Sequence, residues 1–257
     1  MIKKVGIIGI GHLASYLVKG LRKASTDIEI ILSPRNVEKS ASLASQFRAI
    51  VTKSNQMVAD TSDIIILTTR PEDTVVVAKE TDFKPNHIVI SVAAGLSLET
   101  LKPVTIPATI VRAMPISCAA INESPTLLFP DNLRAQELLA LLGQVHILPD
   151  ESSFTSASVI GAFYGWIYAL LEEIISWTTQ IGVPQHTARN LILETVRGAV
   201  NMALIEPKTD LNVILESLTT PGGITKQGLD VLYQKKGLEA WIEALNTVYK
   251  RLSVKKE

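Results

Sequence analysis

The chain is poor in the residues that mark several common chemistries. It holds a single cysteine, Cys118, which rules out an intrachain disulfide framework and any cysteine-based metal cluster and fits a reducing compartment. Its four histidines, His12, His87, His146 and His186, lack zinc-like spacing, so no metal is expected. No Gly-x-Ser-x-Gly string marks a nucleophile. Net charge is missing too: 25 Lys and Arg balance 25 Asp and Glu, and no dense basic run precedes the short Lys255-Lys256 tail. Nucleic acid is therefore not an expected partner. No cleavable signal stands ahead of the first strand, which leads to the expectation of a cytoplasmic protein. The longest apolar run, about residues 159–171, is short for a membrane span and ends at Glu172-Glu173; it reads as a buried or interface helix, with no membrane partner.

What is present is apolar and patterned. Of 257 residues, 47% are apolar and 19% charged, richer in buried-type residues than many monomers need, which points to a homo-oligomer. Residues 1–24 organise the rest. Val5, Ile7 and Ile8 form a β-rich run, Gly9-x-Gly11-x-x-Ala14 follows, and Leu13, Leu17 and Leu21 keep helical spacing. Between a buried strand and a helix, Gly9 permits the tight turn, Gly11 lets a pyrophosphate approach the backbone, and the small Ala14 lets helix pack on strand. The N–H groups at the helix start then face the phosphates. A plain strand-to-helix turn that binds nothing is the bland alternative.

Residues 28–32 read as the second strand. A carboxylate there would take the ribose hydroxyls of NAD; the chain instead has Ser33-Pro34-Arg35-Asn36, whose hydroxyl, guanidinium and N–H groups suit a 2′-phosphate, so NADP is favoured, with NAD still possible. The same residues also suit a turn and a cap for a helix at 37–47. Residues 50–51 read as an edge strand and 63–67 as a buried one, ending in Thr68-Thr69-Arg70-Pro71. Arg70 is there a candidate cofactor contact or a solvated arginine. Further strands fall at 87–92, 109–113, 126–129 and 145–148. The first of these runs into Ala93-Ala94-Gly95, small residues that leave room for a ligand, and a helix at 134–142 precedes the last. Alternating strands and helices predict an α/β, doubly wound, mostly parallel sheet over residues 1–150.

Strand signals stop at about residue 150, and 151–257 reads as an all-helical domain. Helices are expected at 154–180, 185–205 and 238–252. The first is apolar around much of its circumference, which implies cover by a second subunit. Trp166, Tyr168 and Trp177 read as core or interface residues. Thr219-Thr220-Pro221-Gly222-Gly223-Ile224-Thr225 forms a tight loop at a helix start whose N–H groups can hold a carboxylate, or simply an ordinary helix start.

Six motifs in order resemble the pyrroline-5-carboxylate reductase family: Gly9-Ile10-Gly11-His12-Leu13-Ala14, Ser33-Pro34-Arg35-Asn36, Thr68-Thr69-Arg70-Pro71, Ser91-Val92-Ala93-Ala94-Gly95, Arg112-Ala113-Met114-Pro115 and Thr220-Pro221-Gly222-Gly223-Ile224-Thr225. The resemblance implies a Rossmann domain plus a helical dimerisation and substrate domain, an active site shared between subunits, and a role in proline biosynthesis. It implies cofactor contacts at Gly9, Gly11, His12, Leu13, Ala14, Ser33, Arg35, Asn36, Asn55, Thr68, Thr69, Arg70, Ala93 and Gly95. Thr220, Gly222, Gly223, Ile224 and Thr225 would bind the substrate, an imino acid, with the Thr225 hydroxyl catalytic, against the ring nitrogen.

This chain departs from the family pattern at three places. His12 stands where the family places Asn; Ile116-Ser117-Cys118 replaces Asn-Thr-Pro; and Ile160-Gly161-Ala162-Phe163-Tyr164-Gly165 keeps only one glycine of a Ser-Gly-Ser-Gly-Pro-Ala turn. The expected reaction is NADPH-dependent reduction of 1-pyrroline-5-carboxylate to proline. Alternatives are reduction of another cyclic imine, or a catalytically silent NADP-binding regulatory relative. A two-domain hydroxyacid dehydrogenase would want a lysine on the long helix, and residues 159–180 contain none.

Overall fold

The structure, a computed structural model, describes residues 2–253; the Lys255-Lys256 pair lies outside them. The chain divides into two compact units. One runs to Val159 and takes up the chain again from Arg251; the other is Ile160–Lys250.

The first unit is built on one sheet: β1 (Lys4–Ile8), β2 (Glu29–Leu32), β3 (Ile50–Val51), β4 (Ile64–Leu67), β5 (Ile88–Ser91), β6 (Thr109–Met114), β7 (Thr126–Phe129) and β8 (Val145–Ile147). The order is β3-β2-β1-β4-β5-β6-β7-β8. All neighbours are parallel except β6 and β7. The chain turns from one side of β1 to the other between β3 and β4. In a doubly wound sheet a crevice opens at that reversal, beyond the carboxyl ends of β1 and β4.

The strands form because their β-branched and aliphatic runs can be buried on both faces. Register sets Ile7 beside Leu32 and Ile66, and alternation then sorts side chains into two layers. Ile7, Ile30, Ile64, Ile66 and Ile90 enter one layer, with Leu17, Val18 and Leu21 of α1 (His12–Ala24) and Leu138 and Leu139 of α6 (Leu133–Ala140). Ile8, Ile31, Ile65, Leu67 and Val89 enter the other. They meet Val58 of α3 (Asn55–Thr61), Val77 of α4 (Pro71–Lys79) and Leu101 of α5 (Leu98–Thr105). Fully burying each such side chain contributes about 1.5–3 kcal/mol. On α1, Gly20 permits close approach to the 3₁₀ turn Ser117–Ile121: a Cβ there would stand 2.1 Å from the Ala119 carbonyl oxygen.

The helix expected over 154–180 is two helices, α7 (Glu151–Ala157) and α8 (Ile160–Gln180). Asp150 caps α7 by accepting the Ser153 N–H at 2.7 Å, and the Ser158 hydroxyl donates to the Phe154 carbonyl at 2.7 Å where α7 ends. Within Glu151–Gln180 an 18-residue window reaches a mean hydropathy of 1.4, long and apolar enough by composition to cross a membrane, although the helix breaks between α7 and α8 inside that segment.

In the second unit α8 packs on α9 (Gln185–Ile205), and α10 (Leu211–Leu218), α11 (Ile224–Gln234) and α12 (Gly237–Ser253) follow. Gly182, at φ +103, and Pro184 make the turn between α8 and α9. Phe163, Trp166 and Trp241 form an aromatic cluster with ring centroids 5.8–6.5 Å apart. Leu171, Ile175 and Ala188 are buried, while Leu170, Ile174, Trp177, Leu191, Val200 and Leu204 are exposed.

Candidate functional site

Three loops meet beyond the carboxyl ends of β1, β2 and β4, and hydrogen bonds tie them together. Gly9 sits at φ +99, and a Cβ on it would lie 2.7 Å from Thr69, so both conformation and space require glycine. Its N–H donates to the Ser33 hydroxyl at 3.0 Å. The Thr68 hydroxyl donates to the carbonyls of Ile8, at 3.1 Å, and Gly9. Asn36 donates to the Ile10 carbonyl at 3.3 Å and caps α2 (Val37–Phe47) by accepting the Lys39 N–H. The β1 turn is thus held from both sides of the switch point.

The result is a cleft of about 490 Å³. It brings together seven residues expected from the sequence: Gly9, Gly11, Arg35, Asn36, Thr68, Thr69 and Arg70. A Cβ on Gly11 would meet nothing within 4 Å, so the backbone lies open to the cleft. Gly11 is also the N-cap of α1 and no side chain caps that helix. The N–H groups of its first turn therefore remain available to an anion. Open backbone, uncapped helix start and two guanidinium groups fit the pyrophosphate of a dinucleotide.

The other expected cofactor residues do not line the cleft. His12 is exposed on the first turn of α1, Leu13 packs against the core, and Ala14 is fully buried where helix meets strand. Ser33 is fully buried. Its hydroxyl is engaged by Gly9 and its carbonyl accepts from Ser40, so instead of facing a ligand it shapes the glycine turn from behind. Asn55 is half-buried at the start of α3, behind the Ser54 cap. Ala93 is buried and Gly95, at φ +77, is exposed in the turn after β5.

Ile10, Val37, Glu38 and Asp73 also line the cleft and were not expected from the sequence. Asp73 lies in the first turn of α4, where Pro71 occupies the helix start and Arg70 is the N-cap. Its carboxylate pairs with Arg35 at 3.3 Å. The signal was available: an acidic first turn behind a proline, at the carboxyl end of a strand next to the switch point.

In the second unit, residues 220–225 form the tight helix start read from the sequence. Gly222 takes φ +77, the Gly223 N–H donates to the Thr220 carbonyl at 2.9 Å, and a Cβ on Gly223 would crowd the Thr220 hydroxyl at 2.8 Å. Gly223 is the N-cap of α11 and no side chain caps it. Thr220, Gly222, Ile224 and Thr225 are exposed. Such a start leaves backbone N–H groups of the first turn without a side-chain cap, next to the exposed Thr220 and Thr225.

Residues 4–95 match the family described as NADP oxidoreductase coenzyme F420-dependent, and residues 151–254 match the family described as pyrroline-5-carboxylate reductase dimerisation. The pyrroline-5-carboxylate reductase of Haemophilus influenzae is 30% identical over 245 residues, covering 89% of this chain and 89% of its own length. The crystal structure of 1-pyrroline-5-carboxylate reductase from Streptococcus pyogenes superposes with a TM-score of 0.86 at 26% identity, over 97% of each chain. Plasmodium falciparum pyrroline carboxylate reductase, solved with NADP bound, has the same fold. Its TM-score is 0.86 at 22% identity, over 100% of this chain and 98% of that one. The residues that line the cleft all fall within the N-terminal match. The C-terminal match supports homo-oligomerisation.

Proposed function

The chain belongs to the pyrroline-5-carboxylate reductase family, and we propose that it reduces a small cyclic imino acid with NADPH, converting 1-pyrroline-5-carboxylate to proline as a homodimer. The observation that carries this is the uncapped start of α1 at Gly11, open to a cleft walled by Arg35 and Arg70. When bound, the nicotinamide cofactor supplies the hydride. The chain's own residues bind, orient and exclude water.

Residues 1–150 hold the cofactor: the N–H groups of the first α1 turn take the pyrophosphate, Thr68, Thr69 and Asn36 shape the wall, and Arg35 receives the 2′-phosphate. The end of β2 carries no carboxylate to claim the ribose hydroxyls, which favours NADP over NAD. Residues 151–257 hold the substrate and dimerise. Backbone N–H groups at Ile224 and Thr225, with the Thr220 hydroxyl, fix the carboxylate, and the Thr225 hydroxyl sits against the ring nitrogen; the Gly223 N–H, expected from the sequence to join them, already donates to the Thr220 carbonyl. A protonated imine is already electrophilic, so positioning suffices and no strong acid is needed.

A second substrate is favoured by one feature: Phe163 and Tyr164 occupy the family's small-residue turn, and Phe163 packs against Trp166 and Trp241. These bulky rings change what the turn can border, which suits reduction of a different cyclic imine. NADPH oxidation measured with pyrroline-5-carboxylate and with its six-membered analogue tests both. Turnover of the five-membered ring supports the main proposal, and turnover of the six-membered ring alone supports the second. Cofactor binding with no turnover of either identifies a silent regulatory relative.

A further inference from the structure

The cofactor cleft carries its own counter-charge. Two guanidinium groups, Arg35 and Arg70, and two carboxylates, Glu38 and Asp73, line it, so its formal side-chain charge is zero. The one feature separating NADPH from NADH is a 2′-phosphate of roughly −2 charge. A cleft that selects strongly for it keeps its guanidinium free to form paired hydrogen bonds with phosphate oxygens. Here Arg35 Nη1 lies 3.3 Å from Asp73 Oδ2, across 38 residues of sequence. The pair is exposed enough to open readily, with side-chain exposures of 69% and 40%. Opening it, however, leaves the carboxylate in the cleft wall beside the incoming dianion, so Asp73 opposes the phosphate twice: it occupies Arg35 and it repels the ligand.

We propose that Asp73 is a specificity-determining residue, an internal counter-charge that holds down the preference for NADPH and lets the cleft accept NADH as well. The inference rests on the cleft being a dinucleotide site. Glu72, its neighbour in the same helical turn, is exposed and does not line the cleft, which makes it the natural control.

The test is direct titration of the full-length protein with NADPH and with NADH, by calorimetry, in the absence of imine. For Asp73→Asn, the ratio of Kd for NADH to Kd for NADPH should rise about three- to tenfold, through tighter NADPH binding. Raising the salt concentration should shrink the difference. Asp73→Ser, which keeps a polar side chain in the first turn of α4, should act in the same direction, and Glu72→Gln should leave the ratio unchanged. An unchanged ratio in both Asp73 variants, or an equal rise in Glu72→Gln, overturns the specificity role while leaving the cofactor site standing. A falling ratio overturns it too, showing that Asp73 instead orients Arg35 for the phosphate. Failure of the unaltered protein to bind either nucleotide overturns the dinucleotide site and this inference with it.

Discussion

Arg112 Nη1 donates to Glu151 Oε1 at 2.8 Å, and the same carboxylate oxygen accepts the backbone N–H of Leu98 at 2.7 Å. One carboxylate therefore joins β6, the start of α5 and the start of α7. Arg112 is only 4% exposed, and its guanidinium lies 4.4 Å over the Phe154 ring. Burial pushes its pKa down while Glu151 opposes that shift. The Arg112 Nε, buried, has no hydrogen-bond partner among the described residues, so the remaining contacts carry the whole cost of burying the charge.

Removing the carboxylate should therefore hurt more than removing the guanidinium, because Glu151 is partly exposed and keeps the Leu98 N–H whereas Arg112 is buried. Glu151→Ala strands a buried guanidinium and uncaps Leu98, and should cost about 3 kcal/mol in urea unfolding. Arg112→Met, which keeps the volume over Phe154, should cost about 1 kcal/mol or less. Equal losses would show that the charge pair has no special part in stability.

Acid should weaken the fold through His87. It is 2% exposed, its Nδ1 accepts the Lys84 N–H at 3.1 Å, and burial, with Lys84 next, lowers its pKa below the ordinary 6.5. A lowered histidine pKa means the unfolded chain binds the proton first. Its contribution is thus fully present above 6.5 and is lost as pH falls toward the folded-state pKa. Denaturant midpoints measured between about pH 7 and 5 should fall, and His87→Gln should flatten that dependence.

Gly9 and Gly11 should fail in different ways. Gly9→Ala meets both a left-handed φ and Thr69 at 2.7 Å, and should lower stability by about 1–3 kcal/mol. Gly11 has open space around its Cβ position and φ −103, which any residue adopts. Gly11→Val should keep its thermal midpoint within a few degrees yet weaken NADPH binding by about tenfold or more, because the new side chain enters the cleft.

Thr225→Val tests the other half of the chemistry. It removes a hydroxyl at an exposed helix start without changing volume much. kcat with pyrroline-5-carboxylate should fall by roughly ten- to a hundredfold while the Kd for NADPH stays the same. A changed cofactor affinity with normal kcat would move Thr225 out of the substrate role.

Much of the sheet is legible in the residues themselves. Ile64–Leu67 is an unbroken aliphatic run, and it is the fully buried β4. Residues 50–51 are indeed an edge strand, and the helix at 37–47 matches α2. α4 is harder to see, because Thr74-Val75-Val76-Val77 is a β-branched run that reads as strand. Pro71 at the helix start and the acids behind it decide for helix, and Val77 finds its place in the second core layer. The break between α7 and α8 is equally hidden, since apolar spacing runs across Ser158 and Val159 without interruption. The antiparallel setting of β7 is invisible as well: a strand's residues record its burial, not its direction.

The glycine turn, the helix behind it and the loop at 220–225 were determined locally. A left-handed φ, a missing Cβ and an uncapped helix start need only neighbouring residues to be recognised. Which charges meet was decided by the fold. Ser33 reaches Gly9 across 24 residues, Arg35 reaches Asp73 across 38, and Arg112 reaches Glu151 across 39. Those distances close only because β1 lies between β2 and β4, and because β6 sits beside β5, whose following helix begins at Leu98. Hydrophobic periodicity is a property of a segment, whereas a hydrogen bond between loops depends on strand order. Strand order comes from burying all of those segments at once.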